Sequence, residues 1–117
     1  ENNYQCLSMK EVEDYYHGKK EISKKAVCLT FDDGYKNFNT VVKPIIKKYK
    51  LQATNFVIGY KTKTNNPLYL QKEDLKKDQY VEYYSHSYNI HHIGHLPYKK
   101  KIETMTIDEI KKLKENI

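Results

Sequence analysis

The sequence predicts an α/β fold with βα units arranged around a sheet of parallel strands. Three observations predict it. Helical and strand-like segments alternate along the chain, the pattern of βα units around a parallel sheet. The strand-like runs are apolar rather than alternating, as in strands covered on their faces. The residues able to carry chemistry stand just past the carboxyl ends of two of those runs, where α/β folds collect their sites. With 117 residues, the chain is taken as one unit, residues 1–117.

Each element has its own signal. Ser8-Met9-Lys10-Glu11 has the form of a capping box, opening a short helix that Gly18 stops near His17. Ala26 to Phe31 reads as the first strand, and Asp32-Asp33-Gly34 follows it at once. From Phe38 to Tyr49, Val41, Val42, Ile45, Ile46 and Tyr49 recur at helical spacing. Pro44 falls inside that run and either kinks the helix or marks a late start. Ala53 to Gly59 is a second β-prone run that a glycine ends, and "YKTKTNNP" is loop by composition. Gln71 to Lys77 is predicted as a short helix and Tyr80 to Tyr84 as a third strand. Ser85 to Lys101 is irregular, with His86, His91, His92 and His95 beside Gly94 and Pro97. Thr106-Ile107-Asp108-Glu109 is a second capping box, with helix expected to the terminus.

Composition narrows the function classes. The net charge of +6 would suit nucleic acid, but all 21 basic residues are Lys. Bidentate reading of phosphate or guanine favours Arg, so a solvated Lys-rich surface is the expectation and nucleic acid is not an expected partner. Cys6 and Cys28 form no CxxC pair, and Cys28 lies in an apolar run as a small hydrophobe. No apolar run approaches ~18 residues, so no membrane span is expected. No signal peptide is visible, and a start at Glu1 leads to the expectation that an upstream segment has been removed.

The chemistry concentrates in "LTFDDGYKNF" and "YYSHSYNIHH". Asp-Asp-Gly alone is explained as a turn. A turn does not explain an acid pair at one strand end and a histidine cluster at another, on the same predicted face of the sheet. One carboxylate with two imidazoles is a ligand set for Zn²⁺ or a similar divalent ion. His86 and His91 are five apart, about 140° round an ideal helix, so they share an ion only in a loop or distorted turn. His91 and His95 are four apart and would share a helical face, although Gly94 and Pro97 argue against a regular helix. His92, next to His91, points elsewhere. Taken singly, each histidine is more often a surface residue than a ligand.

"TFDDGY" with its following helix, "ATNFVIG" and then "SHSYNIH" resembles the polysaccharide deacetylase family, the NodB-homology domain of carbohydrate esterase family 4. Poly-N-acetylglucosamine deacetylases resemble it most, since there too the second histidine falls five positions after the first. The resemblance runs from about Met9 to the end and implies a partial, irregular (β/α) barrel with parallel strands. It implies Asp32 as general base, Asp33, His86 and His91 as metal ligands, and Ser87 as a residue steadying the loop. It also implies a divalent metal cofactor, Zn²⁺ first and Co²⁺, Ni²⁺ or Fe²⁺ as alternatives. The implied reaction removes N-acetyl groups from GlcNAc residues of a surface polysaccharide or peptidoglycan, with an extracellular or cell-surface location.

The family's later motifs are absent, so residues 1–117 are expected to be the N-terminal part of a single NodB-like domain. Its open sheet edge is expected to favour self-association. Tyr84 stands where relatives often carry a small residue. A truncated relative that binds metal or sugar without turnover stays as the alternative, and a basic, non-enzymatic binding module as a third reading.

Overall fold

Parallel pairing organises the chain, and the structure, a computed structural model, describes residues 3–90 and 105–111. Among them β1 (Gln5–Leu7) pairs with β2 (Ala26–Cys28), Cys6 opposite Val27. A second sheet has the order β3 (Thr30–Phe31), β4 (Ala53–Val57) and β5 (Val81–Ser85). Every strand pair in both sheets is parallel, as the alternation of elements predicts. Across the second sheet, Phe31 lies opposite Asn55 and Asn55 opposite Tyr83.

The first predicted strand is corrected to two. Gln5 to Leu7 supplies a partner that the apolar pattern does not announce, and residues 26–28 pair with it. Residues 30–31 pair instead with β4, and between them the Leu29 carbonyl accepts the Thr54 N–H at 2.9 Å. One continuous run thus serves both sheets, and it is interrupted at Leu29, where it passes from one partner to the other.

Helix ends follow their local chemistry. In α1 (Met9–Tyr16) the Ser8 hydroxyl accepts from Glu11 N–H at 3.2 Å, and the Glu11 carboxylate accepts from Ser8 N–H at 2.9 Å. At the other end Gly18 takes φ +67°, and the Gly18 and Lys19 N–H groups bond the Tyr15 and Asp14 carbonyls. That is a Schellman ending, which the left-handed glycine permits. The helix after Phe38 begins with a π-helical turn, Phe38–Val42, before α2 (Lys43–Lys48). Pro44 lies in the first turn of α2, where the π-helical turn passes into α-helix, so the helical run begins at Phe38 and not late at the proline.

The predicted helix over Gln71 to Lys77 is corrected to one 3₁₀ turn, Lys72–Asp74. Asp78 explains the early stop, since its Oδ1 accepts from Tyr80 and Val81 N–H at 2.9 and 3.0 Å. The chain therefore turns into β5 rather than continuing as helix. Near the end α3 (Ile107–Lys111) starts from its predicted capping box, with Glu109 N–H donating to Thr106 Oγ1 at 3.3 Å. The expected extension to the terminus lies outside the described residues.

Phe38, Ile46, Ala53, Val57, Leu70 and Val81 form the buried cluster that joins α2 to one face of the second sheet. Phe31 and Tyr83 pack edge-on to Phe38, at centroid distances of 5.1 and 6.2 Å. The period of two puts Thr54, Phe56, Glu82 and Tyr84 on the opposite face. Thr54 and Glu82 are buried there, and Asn55 is buried among the core strands. Neither amide atom of Asn55 finds a hydrogen-bond partner among the described residues.

Candidate functional site

The acid pair leaves the sheet through a backbone that few residues adopt. Asp33 has φ +69° and Gly34 has φ +72°, so two consecutive left-handed residues turn the chain at the end of β3. Asp tolerates that region better than most side chains, and Gly tolerates it freely. At Gly34 there is no room either, since a Cβ would stand 2.9 Å from Val57 Cγ1. Asp32 is exposed, whereas the Asp33 side chain is about one-third exposed (35%). The two neighbouring carboxylates therefore occupy different surroundings.

The histidine arrives from β5. Its strand ends at Ser85, one residue later than predicted, so His86 follows the carboxyl end directly. Three hydrogen bonds tie the next residues to the end of β4. His86 N–H donates to the Val57 carbonyl at 2.9 Å, Gly59 N–H to the Ser87 carbonyl at 3.0 Å and Tyr60 N–H to the Tyr88 carbonyl at 2.8 Å. Ser87 takes φ +69° within this seam.

These turns bring Asp33 Oδ1 to 3.7 Å from His86 Nε2. That is too long for a hydrogen bond. It is close to the ~3.4 Å that separates two ligands each about 2.1 Å from one tetrahedral ion. The donor types and their separation therefore fit a divalent cation. Among the described residues no third His, Cys, Asp or Glu completes a group of three. His91, the predicted third ligand, lies outside the described residues, as do His92 and His95.

A shallow depression of about 340 Å³ opens beside His86, lined also by Ser85, Ser87 and Ile90. Tyr84 sits one residue earlier, 40% exposed, with its ring tilted against Phe56 at 6.1 Å. Partial burial, then the Glu82 carboxylate, raises the Tyr84 pKa above the usual phenol value. Tyr84 lies on the face opposite the α2 core, so the large residue is accommodated outside that core.

Sequence reading missed the segment that supports the acid turn. Lys36 N–H donates to the Leu68 carbonyl and Leu70 N–H to the Gly34 carbonyl, both at 2.8 Å, giving an isolated antiparallel bridge between Tyr35 and Tyr69. The Lys36 ammonium meets Asp74 at 2.6 Å, and Leu70 is fully buried beneath. Leu68-Tyr69-Leu70 follows the loop-like "YKTKTNNP" directly and is too short a run to signal a partner strand. Only Tyr35, adjoining the acid motif, could have drawn notice.

Comparison with known proteins bears on the family and the fold. Residues 19–117 match the family model described as polysaccharide deacetylase. The poly-beta-1,6-N-acetyl-D-glucosamine N-deacetylase of Escherichia coli K12 is 31% identical across 79% of this chain and 16% of its own length. Its namesake from Staphylococcus aureus NCTC 8325 is 33% identical across 68% of this chain and 30% of its own. The Streptococcus pyogenes deacetylase PplD, solved with acetate, superposes with a TM-score of 0.70 at 33% identity. A de-N-acetylase from Aggregatibacter actinomycetemcomitans gives the same TM-score at 28% identity. Both alignments cover 78% of this chain and 41% of the solved one, so the chain spans well under half the length of these relatives. On the family model and these likenesses together, the chain belongs to the polysaccharide deacetylase family.

Proposed function

We propose that these residues form the amino-terminal part of a metal-dependent N-deacetylase acting on GlcNAc residues of a cell-surface polysaccharide. A poly-N-acetylglucosamine is the first candidate and peptidoglycan the second, with an extracellular or surface location. The observation that carries the reading is the approach of Asp33 Oδ1 to His86 Nε2 at the carboxyl ends of β3 and β5. Names of relatives from Escherichia coli and Staphylococcus aureus support the substrate class.

Asp33 and His86 would hold the ion, with His91 as the third ligand. Zn²⁺ suits one carboxylate and two imidazoles, and Co²⁺, Ni²⁺ and Fe²⁺ are the alternatives. Held by these side chains, such an ion would supply polarisation of the acetyl carbonyl and a lowered pKa for its bound water. Asp32, exposed beside Asp33, takes the proton from the attacking water as general base. Water oxygen bonds to the acetyl carbon, the carbon–nitrogen bond breaks, and the leaving nitrogen gains a proton. The products are acetate and an amine on the sugar.

The test is metal content by elemental analysis together with acetate release from N-acetylglucosamine oligomers, on the full-length protein. Wild type is expected to bind a divalent ion and release acetate. Asp32→Asn should keep the ion and lose about 100-fold or more in kcat, given the usual reach of general-base catalysis. Asp33→Ala should lose both. Retained turnover in Asp32→Asn overturns the base assignment. Ion binding without acetate release favours the inactive metal- or sugar-binding relative.

A further inference from the structure

Two tyrosines beside the acid turn form an arrangement that neither the core nor the proton chemistry uses. Tyr35 and Tyr69 stack with ring centroids 5.0 Å apart and planes 23° from parallel. The other ring pairs among the described residues meet edge-on or tilted. Tyr35 is 45% exposed even with one neighbour stacked on it, and Leu68 beside the pair is also exposed. The backbone bridge between Tyr35 and Tyr69, with the buried Leu70 next in line, fixes where the rings stand.

The stack follows Asp33 by two residues, directly after the acid turn. A flat, exposed, pre-positioned aromatic surface with hydroxyl rims suits the apolar C–H face of a pyranose. It offers contact area with little side-chain entropy to lose. Lys61 Nζ lies 4.9 Å from the Tyr69 ring centroid. An ammonium there disfavours a second cation, so a sugar bearing a free protonated amine fits less well than one bearing its acetyl group.

We propose that the Tyr35–Tyr69 stack is a sugar subsite holding an N-acetylated pyranose that neighbours the residue being deacetylated. The subsite makes the protein read a polymer rather than a single sugar. This rests on the proposed deacetylase reading for its substrate class.

The test uses the full-length protein with N-acetylglucosamine, its oligomers and glucosamine oligomers, by titration calorimetry and by steady-state acetate release. Wild type should bind acetylated oligomers more tightly than the monosaccharide and at least about tenfold more tightly than glucosamine oligomers. Tyr35→Ala should weaken oligomer binding about tenfold and raise KM on oligomers to match, as loss of an aromatic anchor does. Tyr35→Phe, which keeps the ring, should stay within about twofold of wild type. Tyr69→Ala, removing the supporting ring, should reproduce the loss. Unchanged oligomer affinity in both alanine variants overturns the subsite, as does equal affinity for monosaccharide and oligomer, or for acetylated and free-amine oligomers. Tyr35-dependent oligomer binding without acetate release keeps the subsite and sinks the deacetylase reading. Acetate release with oligomer binding indifferent to Tyr35 does the reverse.

Discussion

Gly34 and Val57 lie in direct contact, and through it the two arms of the site share one support. The Val57 side chain fills the space a Cβ on Gly34 would need, at 2.9 Å. The Val57 carbonyl meanwhile accepts the His86 N–H at 2.9 Å. Gly34→Ala would add a close contact with Val57 and force a left-handed φ on a residue with a side chain. Each effect costs about 1–2 kcal/mol. A loss of about 2–4 kcal/mol in chemical denaturation is expected, with acetate release falling at temperatures where the protein is still folded. Wild-type stability in Gly34→Ala would contradict the close packing at this turn.

Of the proposed ligands, His86 is the one whose removal best separates ion binding from folding, because its side chain is 36% exposed. His86→Ala should lower divalent-ion affinity by ~100-fold or more, since even partners outside the first shell cost 10–100-fold. The unfolding midpoint of the ion-free protein should move little. Competition against a chromophoric chelator measures the first quantity, and thermal unfolding in chelator the second. Zn²⁺ affinity equal to wild type would remove His86 from the ligand set.

Asp78 sets an acid limb to stability. Burial alone would raise its pKa, but hydrogen bonds from Lys47 and the Tyr80 N–H, with Lys43 nearby, bring it down to about 2. The carboxylate is therefore favoured by folding. Its contribution is fully present above the ordinary pKa near 3.8 and is lost as pH falls through about 2. With its side chain 29% exposed, screening reduces the effect to about 1 kcal/mol. Asp78→Asn should flatten the dependence of urea unfolding on pH between those two values. An unchanged slope would show that the lysine contacts do not hold the carboxylate ionised.

Leu70 joins the acid turn to the core, fully buried while its N–H bonds the Gly34 carbonyl at 2.8 Å. Leu70→Ala should cost about 2–5 kcal/mol, the range for a leucine truncated in a packed interior. Thermal unfolding measures it, and a shift no larger than that of an exposed site such as Leu68→Ala would place Leu70 outside the core.

Much of this was legible in the residues because the signals were local. Ser8 with Glu11 and Thr106 with Glu109 are reciprocal pairs within one turn, and both boxes form. The helix stop at Gly18 is likewise a property of one turn. The parallel order of the strands followed from alternation, and Asp33 and His86 meet because both leave carboxyl ends. What escaped depends on partners distant in sequence. Gln5 to Leu7 is too short to announce a strand, and only pairing with residues 26–28 defines it. The Tyr35–Tyr69 bridge joins two segments with no shared motif. Asp78 ends the expected helix by bonding forward to Tyr80 and Val81, a choice that helix propensity does not encode.

The passage of one apolar run from β2 into β3 also has a mechanical side. Tension reaching the chain from its amino side meets the β1–β2 ladder first. Because those strands are parallel, pulling β1 against a body held through β3 loads their hydrogen bonds in shear, together rather than one at a time. The acid turn after Phe31 lies behind that ladder. A pull on the amino end is thus carried by Gln5–Leu7 against Ala26–Cys28 before it can distort the distance between Asp33 and His86.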